Sequence, residues 1–297
     1  MNDVNIITIT YNHEKFIKTT LDSFLMQKTN LKFKIIISDD CSTDNTPKII
    51  EKYYKKYPNL IKFIKREKNI GTINNYIETL TNVDAKYVII CEGDDYFYNK
   101  NKLQIQYDYL EKNPDKSICF HPVKIKKEGY FFKNLFPKIF PKPKHRFYKN
   151  NLTLEDLLSH NFIQTNSAMY RWRFKDSNDF LNNFPNNIMP CDYYLHLLHA
   201  KVGDIGFINK PMAVYRFWKG GIWFASNNDI EKHFLSHGIS ELNFYIAVAK
   251  NIATKPPSYL KHIQNRIDLI KNYFLKNNRL NEIKNELKYL DFLVNGN

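Results

Sequence analysis

The sequence has few cysteines and no long apolar run, and each absence excludes a class of protein. The cysteines are scattered, and no two of them form a CxxC pair; they are Cys41, Cys91, Cys119 and Cys191. Such thiols are expected to stay reduced in a cytosolic protein, without a disulfide framework or a zinc site. No apolar run approaches the roughly 20 residues of a membrane-spanning helix. We therefore expect a cytoplasmic protein.

Signals for export and for common nucleotide-binding loops are absent as well. The N-terminus carries Asp3 and polar asparagines before a strand-like run, a pattern that differs from a signal peptide. Neither a GxGxxG nor a GxxxxGK[ST] loop occurs. A dinucleotide fold of the usual kind and a P-loop are therefore not predicted.

The composition favours a folded domain with an anionic partner. The chain has 297 residues, of which 43% are hydrophobic and 15% aromatic; this suffices for a sizeable core and argues against disorder. The net charge of +14 suggests a nucleotide, a nucleic acid or an anionic lipid surface as partner. The abundant lysine could equally reflect compositional bias without a function.

Strand-like apolar runs alternate with segments of helical periodicity through the first 121 residues. The strands are predicted at residues 4–10, 33–37, 60–64, 87–91 and 117–121. One helix is predicted to start with Thr46 as its N-cap and Pro47 at its first position. The alternation predicts βαβ units and a mostly parallel sheet flanked by helices.

Polar and acidic residues follow three of the predicted strands. The strand-end segments are Thr10-Tyr11-Asn12, Asp39-Asp40 and Glu92-Gly93-Asp94-Asp95. Ligands bind outside the carboxyl ends of parallel strands, so these segments are expected to converge on one site. Crowded carboxylates suit Mg²⁺ or Mn²⁺, and such an ion suits a diphosphate. The alternative is a polar turn that caps the next helix.

Four segments, in this order, resemble the family 2 glycosyltransferases. They are Tyr11-Asn12, the run from Asp39 to Thr46, Asn69-Ile70-Gly71, and the run from Glu92 to Tyr96. The pattern covers most of residues 4–121. The resemblance implies an α/β protein with the GT-A nucleotide-sugar-binding fold. It also implies a nucleotide-sugar donor, a divalent cation (Mn²⁺ or Mg²⁺) and inversion at the anomeric carbon.

The resemblance assigns the first two strand ends to the nucleobase. Tyr11 would pack against the base, and Thr10 and Asn12 would shape that wall. Asp40 would accept a hydrogen bond from the base, commonly uracil. Alternatively, Tyr11 is a turn aromatic and Asp40 a helix cap.

The same resemblance assigns the third strand end to the ribose and the metal. Asp94 would lie near both, and Asp95 would bind the metal that bridges the diphosphate. Glu92 stands where many members have Asp, and would support the site. Asn69 and Gly71 would help bind the nucleotide, or they form only a turn, in which Gly71 can supply a positive φ.

Asp192 matches the catalytic base of the family, at the start of a predicted helix. An inverting displacement needs a base that takes the proton of the acceptor hydroxyl. Asp192 could instead be a helix N-cap. Because Asp192, His196 and His199 share one helical face, a zinc site is a further alternative. Residues 162–170 upstream are predicted to form a strand.

The segment from Val214 to Trp223 resembles the family's closing Tyr-Arg-x-His-x-Gly-Gly motif. Arg216 or Lys219 would pair with the diphosphate, or Arg216 is a structural salt-bridge partner. Trp218 occupies the place of the His. This departure leaves the metal with fewer protein ligands than the family pattern implies.

Two regions carry less specific patterns. Residues 122–150 interleave lysine and aromatics, with Pro137, Pro141 and Pro143; a loop beside the active site, a single-strand nucleic-acid surface or a membrane patch would fit. From residue 228 on, helices are predicted, with Pro256 and Pro257 separating two of them. These helices could pack on the catalytic domain, pair in a homo-oligomer or lie on a membrane.

We therefore predict a GT-A domain at residues 1–225 and a helical extension at 226–297. The predicted reaction moves a sugar from a UDP-linked donor to a hydroxyl of a glycan or lipid-linked saccharide in bacterial surface polysaccharide synthesis. The protein would be cytoplasmic, with peripheral contact at the inner face of the membrane and no nucleic-acid partner. The alternatives are a nucleotidyltransferase, a nucleic-acid or anionic-surface binding protein, and a non-catalytic nucleotide-binding relative.

Overall fold

A computed structural model of the chain describes residues 2–129, 138–141, 152–221, 229–252 and 257–295. Most of the basic and aromatic stretch at 122–150, with Pro137 and Pro143, lies outside these ranges. The same is true of Trp223, of Pro256 and of the predicted domain boundary at 225/226. The division into two domains therefore stays a prediction.

Strands and helices alternate through the first 120 residues, as predicted. The elements are β1 Asn2–Thr10, α1 Ile17–Leu25, β2 Phe33–Asp39, α2 Thr46–Lys56, β3 Ile61–Lys65, α3 Thr72–Leu80, β4 Ala85–Ile90, β5 Tyr96–Phe97, α4 Lys102–Lys112 and β6 Lys116–Phe120. The predicted start of α2 is wrong by one residue, because Asn45 is its N-cap. The Thr46 hydroxyl instead accepts a hydrogen bond from the His13 backbone N–H at 2.8 Å.

The second half adds short strands and then long helices. Its elements are β7 Val123–Lys127, β8 Lys138–Phe140, α5 Leu154–Ser159, β9 Met169–Arg171, α6 Ser177–Asn183, α7 Cys191–Ala200, β10 Asp204–Phe207, β11 Ala213–Phe217, α8 Ile230–Asn251, α9 Pro257–Lys276 and α10 Lys284–Asn295. The strand predicted at 162–170 is mostly wrong, because residues Thr165–Ser167 form a 3-10 turn and the strand begins only at Met169.

The large sheet places the ends of β1, β2 and β4 side by side. Its seven strands run in the order β10-β6-β9-β4-β1-β2-β3. All neighbours are parallel except at β9, which is antiparallel to both β4 and β6. Thr10 pairs with Asp39, and Ile7 pairs with Ile90. The carboxyl ends of three strands therefore meet at one edge, where a parallel sheet binds its ligands.

The core covers both faces of this sheet and continues into the C-terminal helices. Ile7, Ile36 and Val88 are fully buried and belong to one apolar cluster that also contains Leu242 of α8 and Ile270 of α9. Full burial of one such side chain stabilises the fold by about 1.5–3 kcal/mol. Core packing is therefore one role of the C-terminal helices. None of the helices described is both long and apolar enough to cross a bilayer.

Candidate active site

A cavity of about 550 Å³ lies at the carboxyl ends of β1, β2 and β4. Most of the residues predicted for the site line it; they are Thr10, Tyr11, Asp40, Gly71, Asp94, Asp95, Asp192 and Arg216. Asn12 and Asn69 do not line it and hold neighbouring loops instead. Asn12 Oδ1 accepts from the Thr43 backbone N–H at 2.8 Å. Asn69 Nδ2 donates to the Asp40 carbonyl at 3.1 Å.

Tyr11 and Asp40 stand on the side of the cavity formed by β1 and β2. The Tyr11 ring is 44% exposed, which is unusual for a large aromatic and leaves a face open to a flat ligand. The Asp40 carboxylate accepts the backbone N–H groups of Ile70 at 2.8 Å and Gly71 at 3.0 Å. Gly71 has φ +84°, a backbone conformation that would be strained in a residue with a side chain. Asp40 therefore fixes the 70–71 loop in the cavity wall.

Asp95 is buried and has both carboxylate oxygens in hydrogen bonds. It is 3% exposed. Its Oδ1 accepts the backbone N–H of Arg216, and its Oδ2 accepts Nδ2 of Asn166, both at 2.8 Å. Burial, followed by the neighbouring Asp94 charge, raises the pKa of Asp95. The side chain therefore ties β4 to β11 and to the 165–167 turn.

Asp94 has a carboxylate oxygen without a protein partner. Its Oδ2 accepts Nε1 of Trp218 at 2.7 Å. Its Oδ1 is buried and receives no hydrogen bond. An unpaired buried carboxylate oxygen is costly, and a cation in the cavity would complete it. The structure therefore points to Asp94 as the better metal ligand of the pair.

The chemistry of the site fits a divalent cation held jointly by protein and substrate. Among the residues with described positions, no three His, Cys, Asp or Glu side chains gather as an all-protein metal site. Mg²⁺ commonly binds through one or two carboxylates plus substrate phosphates. Asp94, with Asp95 beside it, fits that pattern.

Trp218 and His13 together pack beside Asp94. The Trp218 ring contacts Phe16 at 4.8 Å and His13 at 5.8 Å between ring centroids. His13 Nε2 lies 3.9 Å from Asp94 Oδ2. A histidine therefore does stand near the acids, although it comes from the loop after β1 rather than from position 218. His13 was not among the predicted site residues, although its place directly after Tyr11-Asn12 offered a signal.

Gly93 allows the ends of β1 and β4 to approach each other. A Cβ at this position would lie 2.6 Å from Thr10 Oγ1 and 2.8 Å from His13 Nδ1. Gly93→Ala is therefore expected to lower stability by about 1–3 kcal/mol, the usual cost of overpacking, and to displace Asp94. Thermal unfolding and nucleotide binding measure the two effects. An unchanged midpoint together with unchanged binding would contradict the close approach.

Arg216 is held by structural contacts at the cavity wall. It is buried, and Nη1 donates to the Asp94 carbonyl. Its Nε lies 3.3 Å from Glu128 Oε1, and the guanidinium sits 4.4 Å from the Tyr96 ring centroid. The salt-bridge alternative is thus present in the structure. A role at the diphosphate stays a prediction.

Asp192 lies in the first turn of α7, whose N-cap is Pro190. It is therefore not the N-cap that the alternative proposed. The Thr165 hydroxyl donates to Asp192 Oδ2, and the Tyr193 backbone N–H donates to Oδ1 at 2.8 Å. Thr165 and the adjacent Asn166 thus hold Asp192 and Asp95 from one 3-10 turn. This turn was missed because it was predicted to be a strand.

Glu92 also lines the cavity, between the acids already described. Burial, followed by the charges of Asp94 and Asp192, raises its pKa.

His196 and His199 do not support a zinc site. Both are fully buried, and burial lowers the pKa of His196 to about 4 and of His199 to about 3. His196 Nδ1 lies 2.8 Å from the Tyr170 hydroxyl, so both imidazoles belong to the core.

The fold and this site define an α/β protein with an acidic cavity at the carboxyl edge of its sheet, and comparison with known families identifies the family. The model of the family described as "Glycosyl transferase family 2" matches residues 5–176. The chain therefore belongs to glycosyl transferase family 2. The predicted family is confirmed, and so is the predicted GT-A fold with C-terminal helices.

Relatives by sequence include bacterial proteins that match different shares of the chain. An uncharacterized protein of Mycobacterium tuberculosis, Rv1520, is 38% identical over 235 residues, which cover 79% of this chain and 64% of the relative. The chain thus spans less than two thirds of that relative. The minor teichoic acid biosynthesis protein GgaA of Bacillus subtilis is 33% identical over 141 residues, 45% of this chain and 31% of GgaA.

Solved structures share the fold at low sequence identity. Residues 1–349 of TarS from S. aureus, in complex with UDP-GlcNAc, align with a TM-score of 0.60 and 19% identity, covering 92% of this chain and 73% of that one. The mannosyltransferase PcManGT from Pyrobaculum calidifontis, in complex with GDP-Man and Mn²⁺, aligns with a TM-score of 0.55 and 16% identity, covering 98% and 87%.

Proposed function

We propose that the chain is a metal-dependent inverting glycosyltransferase. It would transfer a sugar from a UDP-linked nucleotide sugar to a hydroxyl of a saccharide or lipid-linked saccharide in bacterial surface polysaccharide synthesis. One observation carries the proposal. The unpaired oxygen of Asp94 and the carboxylate of Asp192 line the same cavity at the carboxyl edge of the sheet. A leaving-group site and a base are the two functions that an inverting displacement needs.

The donor would lie across the three strand ends. Tyr11 would pack on the base beside Thr10, and Asn12 would support that wall by holding the loop at Thr43. Asp40 would accept a base N–H beside the loop it fixes. UDP as the nucleotide is supported by the UDP-GlcNAc in the TarS complex, whereas PcManGT was solved with GDP-Man. Gly71 would line the nucleotide site next to Asp40, and Asn69 would support it through its hydrogen bond to the Asp40 carbonyl.

The diphosphate would lie beside Asp94. A divalent ion held there by Asp94, with Asp95 next to it, would neutralise charge on the departing diphosphate as a Lewis acid. Arg216 keeps the Asp94 backbone in place through its carbonyl and would add positive charge at the same wall.

Asp192 would act on the acceptor. As the acceptor oxygen forms its bond to the anomeric carbon, Asp192 takes the proton of that hydroxyl. The bond from the anomeric carbon to the phosphate oxygen breaks, and its electron pair leaves with the nucleoside diphosphate. Thr165 orients the carboxylate through the hydrogen bond to Oδ2. The cytoplasmic location, the peripheral membrane contact and a homo-oligomer remain predictions.

Thermal unfolding in the presence of nucleotides tests the donor site. UDP with Mn²⁺ at 100 times its Kd is expected to stabilise the folded chain by about 2.7 kcal/mol, because ligand binds only the native state. UDP alone should give a smaller shift, and AMP a negligible one. Absence of a shift with every nucleotide, combined with salt-sensitive binding of single-stranded DNA, would instead support the nucleic-acid alternative.

A further inference from the structure

A second cavity, of about 320 Å³, lies on the other side of Asp192. It is bounded by α7 and by the C-terminal helices α8 and α9, beyond the segment that the family model matches. The two cavities share Gln164, Met189, Pro190, Asp192 and His237. They therefore adjoin at the proposed base, and a group in the second cavity can present a hydroxyl to Asp192.

One wall of the second cavity is aromatic. It contains Phe140, Tyr193, Phe244 and Tyr245. The Tyr193 and Phe244 rings are stacked, with centroids 5.2 Å apart and an interplanar angle of 27°. Aromatic surface with a few placed polar groups is the usual lining of a small-molecule site, and the apolar face of a sugar ring suits such a wall.

Among the described residues that line this cavity, Arg266 is paired with Glu241. Arg266 Nε and Nη2 donate to the two oxygens of Glu241 at 2.6 and 2.8 Å, so each charge cancels the other. Glu241 is buried, which makes this bidentate pair a fixed part of the wall. The cationic charge of Arg266 is therefore already compensated before any ligand arrives.

Burial favours the neutral form of the imidazoles in this cavity. It lowers the pKa of His237 and His262, and the Glu241 charge opposes this only in part. A neutral imidazole offers one donor and one acceptor, which is also what a sugar hydroxyl requires from its partner. A phosphate or carboxylate ligand would instead meet the negative charge of Asp192 at the junction. The described wall therefore favours an uncharged polyol.

We propose that the second cavity is the acceptor site and that it accepts an uncharged sugar ring. The ring would stack on the aromatic wall, with its hydroxyls bonded to His237 and His262 and one hydroxyl at Asp192. This inference rests on the proposed transferase function and adds the class of acceptor to it. It also gives α8 and α9 a role beyond core packing.

A pair of variants tests the proposal. His262→Ala on α9 removes one polar group of the cavity wall. Lys261→Ala is the matched control, because it is the exposed residue directly before the tested histidine. We expect the histidine variant to raise KM for the acceptor about tenfold, the equivalent of about 1.4 kcal/mol. The lysine variant should keep the wild-type KM.

The acceptors to be tried are methyl glycosides of uncharged hexoses and N-acetylhexosamines, each beside its uronate and 6-phosphate counterpart. Products are identified by mass spectrometry and by release of nucleoside diphosphate. Uncharged members should react at least tenfold faster in kcat/KM than their charged counterparts. A preference for charged acceptors would overturn the proposal, as would equal effects of the histidine and lysine variants.

Failure of the acceptor site is distinguishable from failure of the transferase function. The shift of the unfolding midpoint by UDP and Mn²⁺ reports the donor site alone, and it should persist in both variants. If that shift is present but no uncharged sugar reacts or inhibits donor hydrolysis, the acceptor proposal is wrong and the donor site stands. If the wild type shows neither the shift nor donor turnover, the transferase function itself is wrong.

Discussion

Asp192→Asn is expected to lower kcat for sugar transfer by about 10²–10⁴-fold, the usual contribution of a general base. Asn keeps the shape of the side chain, and its oxygen can still accept the hydrogen bond that Thr165 donates to Oδ2. What it loses is the ability to take a proton from the acceptor hydroxyl. The rate of nucleoside diphosphate release, measured at saturating concentrations of donor and acceptor, reports this loss.

Donor binding provides the control for the Asp192 variant. Asp192 lies on the acceptor side of the cavity, so the shift of the unfolding midpoint by UDP and Mn²⁺ should match that of the wild type. Thr165→Val is the companion variant, because it removes the hydroxyl that orients Asp192 but leaves the carboxylate. It should reduce kcat less than Asp192→Asn does. Full activity of Asp192→Asn would exclude Asp192 as the base.

Asp94→Asn and Asp95→Ala are expected to fail in different ways. Asp94→Asn removes the charge on the side chain whose Oδ1 has no protein partner, so transfer should fall by about 100-fold or more as Lewis-acid stabilisation is lost. The increase of the unfolding midpoint that nucleotide causes should no longer depend on Mn²⁺. The unfolding midpoint without ligand should change little, because an amide oxygen can still accept from Trp218 Nε1.

Asp95→Ala should instead destabilise the fold. It leaves the Arg216 backbone N–H without its partner and removes one of the two acceptors of Asn166 Nδ2. Each buried polar group left unpaired costs about 1–3 kcal/mol. A stable Asp95→Ala variant that lost only its metal dependence would return the main metal role to Asp95, as the sequence resemblance implies.

The convergence of the donor-site residues was predictable from local patterns. Buried strands ending in Thr10, Asp39 and Ile90 alternate with helices, and such alternation allows few topologies other than a parallel sheet. Parallel strands place their carboxyl ends together, so acids 50 residues apart in the chain can be assigned to one edge from the sequence. The cavity there contains most of the predicted residues.

The difference between the two adjacent acids could not be predicted in this way. Asp94 and Asp95 are the same residue type at consecutive positions, so a pattern treats them alike. Their environments differ because Asn166 and the Arg216 backbone reach Asp95 from distant segments, while Trp218 reaches Asp94. Hydrogen bonds between residues 71 to 124 positions apart follow from tertiary packing, which no local periodicity encodes.

The sequence by itself determined the mostly parallel sheet and the acidic edge that opens on the cavity, because hydrophobic periodicity and strand-end residues are local properties of the chain. The family came from the resemblance of its ordered motifs and was confirmed by the family model. Only the tertiary structure decided which oxygen of that edge is free, that the 165–167 turn joins Asp95 to Asp192, and that α8 and α9 close a second cavity against the proposed base. The physical reason is that each depends on which buried polar groups find partners once distant segments pack together.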